Sequence, residues 1–288
     1  MDIFQKRTRK DPLRHIYDSP DSKSAEAYHE ASKINEINGL SFRRRIGTVL
    51  GSPFYLRLIT RGYKAYPTAP KMSLPDYTEF EDTPRSRKLR EIVVTRRSIR
   101  EFTGEPISLN NVAHILFNSY GTTGRMTLSF GIEQDARAVP SGGALYPLEL
   151  YVAAHKVDGL EPGIYHYNVE GHSLELVREG QFSVEFGRAL FYEDMFKNVA
   201  AALVVTAIPR RSSMKYGERS YRFINLEAGH VGQAACLTAC ALDIGCVMLG
   251  GFYDDDVDNL IGIDGVNEMT LYTCALGGVE QNKTESGK

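Results

Sequence analysis

The chain has 288 residues, 42% of them hydrophobic, enough to bury a sizeable core in one large domain or one domain with an extension. Lys+Arg 34 against Asp+Glu 36 leaves a formal net charge of -2, which gives no whole-chain attraction for nucleic acid or an anionic membrane. No stretch approaches the ~18 uninterrupted apolar residues of a membrane span, and the opening "MDIFQKRTRKDPLRHIYDSP" has no apolar core, so a cytoplasmic protein is expected.

Residues 1–85 read as an N-terminal extension. It holds a helix in "SAEAYHEASKINEI" and an extended, Pro-rich linker in "YKAYPTAPKMSLPDYTEFEDTP". The main domain is expected over 86–288, beginning at "RKLREIVVTRRSIREF". There Arg96, Arg97 and Arg100 surround Ser98, forked donors and a hydroxyl that suit an array of phosphate oxygens, although a solvated basic face would look the same. "ISLNNVAHILFNSYG" predicts a helix with Ser108 as cap, Leu109, Val112, Ile115 and Leu116 on the apolar face, and Gly121 as its close.

Pro140, Ser141, Gly142 and Gly143 precede the strand "LELYVAAH" (148–155). Missing side chains there let backbone amides approach a ligand, or simply make a turn. "GIYHYN" and "SLELVRE" alternate around "VEGH" as an antiparallel hairpin, and "AALVVTAI" (201–208) and "EMTLYTCAL" (268–276) read as buried strands. Helical segments between them make the class α+β, a central sheet flanked by helices.

Lys215 and Tyr216 stand just ahead of a helix expected over about 224–242. That helix is small or apolar nearly all round: Ala228, Gly229, Gly232, Ala234, Ala235, Cys236, Ala239, Cys240 and Ala241. Interior glycines cost about 1 kcal/mol each relative to Ala, so close backbone approach to a helix, a partner subunit or a flat ligand is expected. His230, among these small residues, is expected to make a buried hydrogen bond. The cysteines Cys236, Cys240, Cys246 and Cys274 read as buried free thiols, and with no Cys-x-x-Cys pair or spaced histidine no metal site is expected. "MLGGFYDDD" repeats the glycine device at Leu249, Gly250 and Gly251, and neither a Rossmann fingerprint nor a triphosphate-binding loop is present.

Taken in order, these elements resemble the FMN-dependent nitroreductase fold, and within it the SagB-type dehydrogenases that oxidise thiazoline and oxazoline rings in peptides. The resemblance runs over about residues 25–277. It implies a mainly antiparallel sheet and a homodimer with one FMN per subunit. It also implies that Arg96, Arg97, Ser98 and Arg100 grip the phosphate and ribityl chain. Pro140, Ser141, Gly142, Gly143 and Tyr146 would lie along the isoalloxazine ring, and Leu249, Gly250 and Gly251 near its redox-active edge. "KYGERSYRF" followed by Glu227, Gly229 and His230 is similar to the azoline-dehydrogenase subgroup, in which Lys and Tyr are the proposed catalytic pair, here Lys215 and Tyr216. "AYHEASK" and "YPTAPKMSLP" are similar to the leading region of the same proteins.

The C-terminal "LGGVEQNKTESGK" offers only Lys283 and Lys288 where many nitroreductases have further basic phosphate contacts, so the three arginines, or Arg219 and Arg222, are expected to carry that task. No ring-forming domain is present, so a cyclodehydratase or other biosynthetic partner is expected to supply an azoline-bearing peptide or carrier-bound substrate. Two alternatives stay open: an NAD(P)H-dependent FMN reductase of nitro compounds, quinones or enones, and a non-catalytic flavin-fold scaffold.

Overall fold

The computed structural model of the chain describes residues 23–59 and 82–280, with a few single positions between them. Most of the Pro-rich passage, together with Lys283 and Lys288, lies outside the described residues. The stretch read as one helix over 24–37 is divided. Helix α1 runs Lys23–Ser32, and α2 (Glu36–Leu50) starts afresh at Asn35, whose side chain accepts from the Ile37 and Asn38 amides while the Asn38 side chain accepts from the Asn35 N–H. This reciprocal cap favours a new helix start over continuation. Helices α3 (Pro53–Ile59) and α4 (Pro84–Thr95) follow. The described residues form two compact units, one of 34–94 and a larger one joining 23–33 to 95–280.

In the larger unit, the short β1 (Ile107–Ser108) leads into α5 (Leu109–Tyr120), capped by the Ser108 hydroxyl accepting from the Asn111 amide. Val112, Ile115 and Leu116 are buried as the spacing predicts, whereas Leu109, at the first turn, stays 36% exposed on the rim. A hairpin of β2 (Thr122–Thr127) and β3 (Glu133–Arg137) was not legible, because its strands carry hardly any apolar side chains.

There follow β4 (Leu148–Ala154), β5 (Val157–Asp158), which pairs with β1, and the expected hairpin β6 (Gly163–Asn168) and β7 (Ser173–Glu179). Next come α6 (Ser183–Ala189), α7 (Glu193–Phe196), β8 (Ala201–Ala207), α8 (Arg210–Tyr216) and α9 (Ser220–Ala241). The chain continues through β9 (Ile244–Leu249), α10 (Asp254–Ile261) and β10 (Met269–Gly278).

The main sheet has the order β7-β6-β4-β8-β10-β9, antiparallel at every step. Leu148, Leu150 and Val152 of β4 join α5 and α9 in one core, and Tyr151 and Ala153 join Phe186, Phe196, Val257 and Ile261 of α6, α7 and α10 in the other. Burial on both faces explains why β8 reads as an unbroken apolar run.

Helix α9 differs from the expectation of a small, apolar surface all round. Arg222, Asn225, Leu226, Gly229, His230 and Gln233 form an exposed stripe, while Ala228, Val231, Gly232 and Ala235 face the sheet. Gly232 meets the expectation of close approach, since a Cβ there would lie 2.9 Å from Met248 Cε; Gly229 faces open space. Among the described residues no helix is long and apolar enough to cross a membrane.

At one end of the sheet, the α6-side face turns polar. Glu268 Oε1 accepts from the Tyr151 (3.0 Å) and Thr206 (2.6 Å) hydroxyls, and Glu149 binds His166 and Arg211. Burial, with Glu149 adding to it, pushes the Glu268 carboxyl up to about 7. The native state thus holds a proton that the unfolded chain releases near 4.5, and stability contributed by this group falls as pH rises from about 4.5 through about 7. His166, raised by Glu149 and Glu175 against its burial, acts in the same sense, while His155, lowered by burial to about 4, acts oppositely. Glu268→Gln is therefore expected to gain stability relative to the parent between pH 5 and pH 8, by roughly 3 kcal/mol at full shift. Urea denaturation at the two pH values measures this, and an equal difference at both would disprove it.

Candidate active site

The antiparallel register gathers the functional loops. Leu148 at the start of β4 lies opposite Ala207 at the end of β8, and Ala207 lies opposite Met269 at the start of β10. The loop entering β4 and the helix leaving β8 therefore emerge side by side. Strand β9 runs in the direction of β8, so Leu249, Gly250 and Gly251 leave from the same end of the sheet.

The loop entering β4 turns tightly, with φ +66° at Gly143, a left-handed conformation in which a Cβ is disfavoured. Space forbids one too. A Cβ on Gly143 would overlap Tyr216 Oη and lie 2.7 Å from Lys215 Nζ, so the two side chains of α8 converge on this glycine. Lys215 Nζ sits 5.3 Å from the Tyr216 ring centroid, and that ring meets Phe223 edge-on at 4.9 Å. Gly142 is closed from below, its absent Cβ 3.3 Å from Phe223. After Tyr216, Gly217 reverses the chain at φ 50°, ψ -137°, a conformation closed to other residues. Glu218 then accepts from the Ser24 and Ala25 amides, at 3.1 and 2.9 Å, so the first turn of α1 holds this segment from outside.

Beneath the loop lies a polar network. Glu227 on α9 accepts from Tyr120 Oη at 2.8 Å and from Ser141 Oγ at 2.5 Å, and Ser141 Oγ in turn accepts from the Tyr146 amide at 2.9 Å. Tyr120 Oη also receives the Leu148 amide, and the Arg137 guanidinium lies 4.3 Å over the Tyr120 ring and 4.8 Å over that of Tyr146. Burial raises the Glu227 carboxyl above its ordinary value, against the hydrogen bonds from Ser141 and Tyr120.

A pocket of about 240 Å³ opens beside this network, lined by Pro140, Ser141, Gly142, Phe223, Leu226, Glu227 and His230. This corrects the expectation of a buried hydrogen bond at His230. The residue is exposed, because it sits one turn beyond Leu226 on the outward stripe of α9.

The arginine segment docks elsewhere, on β9 and the end of β10. The Ile99 amide donates to Cys246 O and the Thr103 amide to Gly278 O, both at 3.0 Å. Arg97 and Arg100 donate to the carbonyls of Arg96 and Ser98, and Arg97, Ser98 and Arg100 are exposed. Leu249 closes β9, its carbonyl accepting from Thr273 Oγ1 at 3.0 Å. The strand spans roughly 10 Å between Cys246 and Leu249, with the arginines by one residue and the glycines after the other. Arg219, by contrast, stands 6.0 Å from the Phe223 ring, near the Gly142 side. Cys236, Cys246 and Cys274 are buried together, Cys246 Sγ 3.4 Å from Cys236 and 3.2 Å from Cys274, while Cys240 is half-buried; among the described residues no group suits a metal ion.

The nitroreductase family model matches residues 93–278, a stretch that holds the whole main sheet and both residue clusters. The chain belongs to the nitroreductase family. This family member is 34% identical over 193 residues to MJ1384 of Methanocaldococcus jannaschii, a protein named as a nitroreductase, with 67% of this chain and 90% of that protein covered. It is 30% identical over 170 residues to the trifolitoxin-processing protein TfxB of Rhizobium leguminosarum bv. trifolii, covering 57% of this chain and about half (46%) of the relative. Its fold is similar to that of a chain in the E. coli microcin synthetase McbBCD complex with truncated pro-MccB17 bound, at TM-score 0.54 and 19% identity, covering 90% of this chain and 98% of the other.

In this nitroreductase-family chain, sequence reasoning missed Phe223, Tyr120 and Arg137 and gave Glu227 no task. The helical spacing of Phe223 and Glu227, one turn apart ahead of His230, was the available signal for a shared face. Glu227→Ala strands the Tyr120 and Ser141 hydroxyls, with an expected loss of about 1–3 kcal/mol, while Glu227→Gln retains an acceptor and loses less. Chemical denaturation of the two variants checks this order.

Proposed function

We propose that this nitroreductase-family protein is an FMN-dependent dehydrogenase that oxidises thiazoline or oxazoline rings in peptides to thiazoles or oxazoles. The observation that carries the reading is the convergence of Lys215 Nζ and Tyr216 Oη on Gly143. The names of the relatives support it, since TfxB is a trifolitoxin-processing protein and the McbBCD chain belongs to a microcin synthetase bound to a precursor.

The residues present fit a flavin. The pocket beside Pro140, Ser141 and Gly142 offers room against a backbone with little side chain, and the arginine segment offers exposed guanidinium donors for a phosphate. In this reading Arg96, Arg97, Ser98 and Arg100 hold the phosphate and ribityl chain. Pro140, Ser141, Gly142 and Gly143 support the ring, and Leu249, Gly250 and Gly251 border its edge. When bound, FMN would supply the two-electron acceptor, with oxygen as the oxidant that restores it. Ring aromatisation also requires loss of a proton from a ring carbon, and here Lys215 takes that proton while Tyr216 Oη orients the amine or the substrate. Ser141, held by Glu227, keeps the loop and the Tyr146 amide in place.

The reading includes a homodimer. The arginine segment and the Pro-Ser-Gly-Gly loop are docked on different parts of one chain, and the exposed stripe of α9 around Gly229 offers a second chain a close approach. The substrate is an azoline-containing peptide or carrier-bound intermediate made by a cyclodehydratase or similar partner. The match to MJ1384, named as a nitroreductase, over most of its length favours a second reading, an NAD(P)H-dependent, FMN-using reductase of nitro compounds, quinones or enones.

Stopped-flow absorbance with a synthetic thiazoline peptide separates the two. Reduction of the flavin by the peptide is expected; rapid reduction by NAD(P)H alone would favour the second reading. Lys215→Ala should slow peptide-driven reduction by roughly 10²- to 10⁴-fold while keeping its flavin, and Tyr216→Phe should slow it less. A lysine variant running at the parent rate removes Lys215 from the chemistry. Arg100→Ala should lose FMN on dialysis with the fold intact, and full flavin retention would reject the phosphate assignment.

A further inference from the structure

Helix α8 is seven residues long, opens at Pro209 without a side-chain cap, and is too short to hold its own shape or direction. Arg211 and Lys215 lie four residues apart on it and so share a face. The Arg211 Nη1 donates to Glu149 Oε1 at 2.5 Å, and Glu149 Oε2 meets His166 Nε2 at 2.8 Å. His166 Nδ1 meets Glu175 Oε2 at 3.1 Å, and the His166 ring lies against Tyr151. The Arg211 and Glu149 side chains are only 24% and 14% exposed. These partners stand on β4, β6 and β7, three neighbouring strands of the main sheet, so the chain of contacts ends on rigid backbone.

We infer that Arg211 is a positioning residue that, bonded to the Glu149–His166–Glu175 row, sets the rotation of α8 and thereby the place of the Lys215 amine and Tyr216 hydroxyl over Gly143. A guanidinium directs its hydrogen bonds along fixed vectors, so it fixes the turn of a helix as well as its distance. The carboxylate it grips is held on its second oxygen, which prevents that anchor from swinging. One helical turn further on, the same face delivers Lys215. A misplacement of about 1 Å at a reacting group can cost on the order of 100-fold in rate, so an anchor of this kind is worth having even where it adds little to stability. The inference rests on the reading of Lys215 as the base.

The test compares Arg211→Ala, Arg211→Lys and Glu149→Gln in the flavin-loaded protein, and Arg211→Ala again in a Lys215→Ala background. Reduction by the synthetic thiazoline peptide is expected to slow by roughly 10- to 100-fold in Arg211→Ala, with flavin content and melting temperature little changed and Arg211→Lys in between. In the Lys215→Ala background the same change should cost nothing further, because a residue acting through the lysine has nothing left to position. Hydrogen exchange should show faster amides over 212–217 in Arg211→Ala and parent rates in the rest of the sheet. Equal losses in both backgrounds, or unchanged exchange in α8, would overturn the inference. If Lys215→Ala alone reacts at the parent rate, Lys215 is not the base, and the exchange data still decide whether Arg211 orders α8; if the peptide fails to reduce the flavin of the parent protein, it is the azoline reading that fails. Should Arg211→Ala not fold, Glu149→Gln, which preserves volume, carries the same comparisons.

Discussion

The antiparallel pairing of β4 with β8 and of β8 with β10 is the constraint on which the site depends. Because Leu148, Ala207 and Met269 stand in one row, the loop entering β4 and the helix leaving β8 have to emerge as neighbours. A parallel pairing would have sent them to opposite ends of the sheet. The apolar sides of these strands are buried against helices on both faces, so the register cannot slip by a residue without turning Leu150 and Val205 out of one core and Tyr151 and Val204 out of the other. Core packing and site geometry are therefore one property.

Within that frame, the absence of a side chain at Gly143 decides how near Lys215 and Tyr216 can come. The glycine lies in a turn whose shape is held by Ser141 and Glu227 from below and by the Gln134 side chain, which donates to Ala144 O, from the flank. The two chemical groups are themselves held from two sides. Arg211 ties α8 to the sheet, and Glu218, just past the Gly217 reversal, receives the first amides of α1. The leading helix, read from sequence as part of an extension, thus reaches the segment next to the candidate active site.

Much was legible before any coordinates. The cap at Ser108, the buried runs of β8 and β10 and the β6–β7 hairpin follow from short-range rules, since capping, alternation and turn chemistry act over a few residues. The split between α1 and α2 was missed although Asn35 was in view, because the helical pattern on either side of it outweighed a single capping residue. Strand β9, with its cysteine and methionine, reads only as an apolar segment, and the polar β2–β3 hairpin leaves hardly any hydrophobic signal. His230 shows the same limit in reverse. Small neighbours suggested an interior helix, and only the packing of α9 on the sheet showed which side of it faces out.

The sequence by itself determined the α+β class, most of the strands, the arginine-rich and glycine-rich segments, and the pairing of Lys215 with Tyr216. Those are properties of local pattern and of chemistry carried by single side chains. The tertiary structure decided which of them meet: Gly143 with the Lys-Tyr pair, Ser141 with Glu227 86 residues away, and Arg211 with Glu149 62 residues away. Contacts of that separation depend on strand order and on which face of a helix is buried. Both are settled only when the whole core packs, because each apolar face can be covered only by elements from distant parts of the chain.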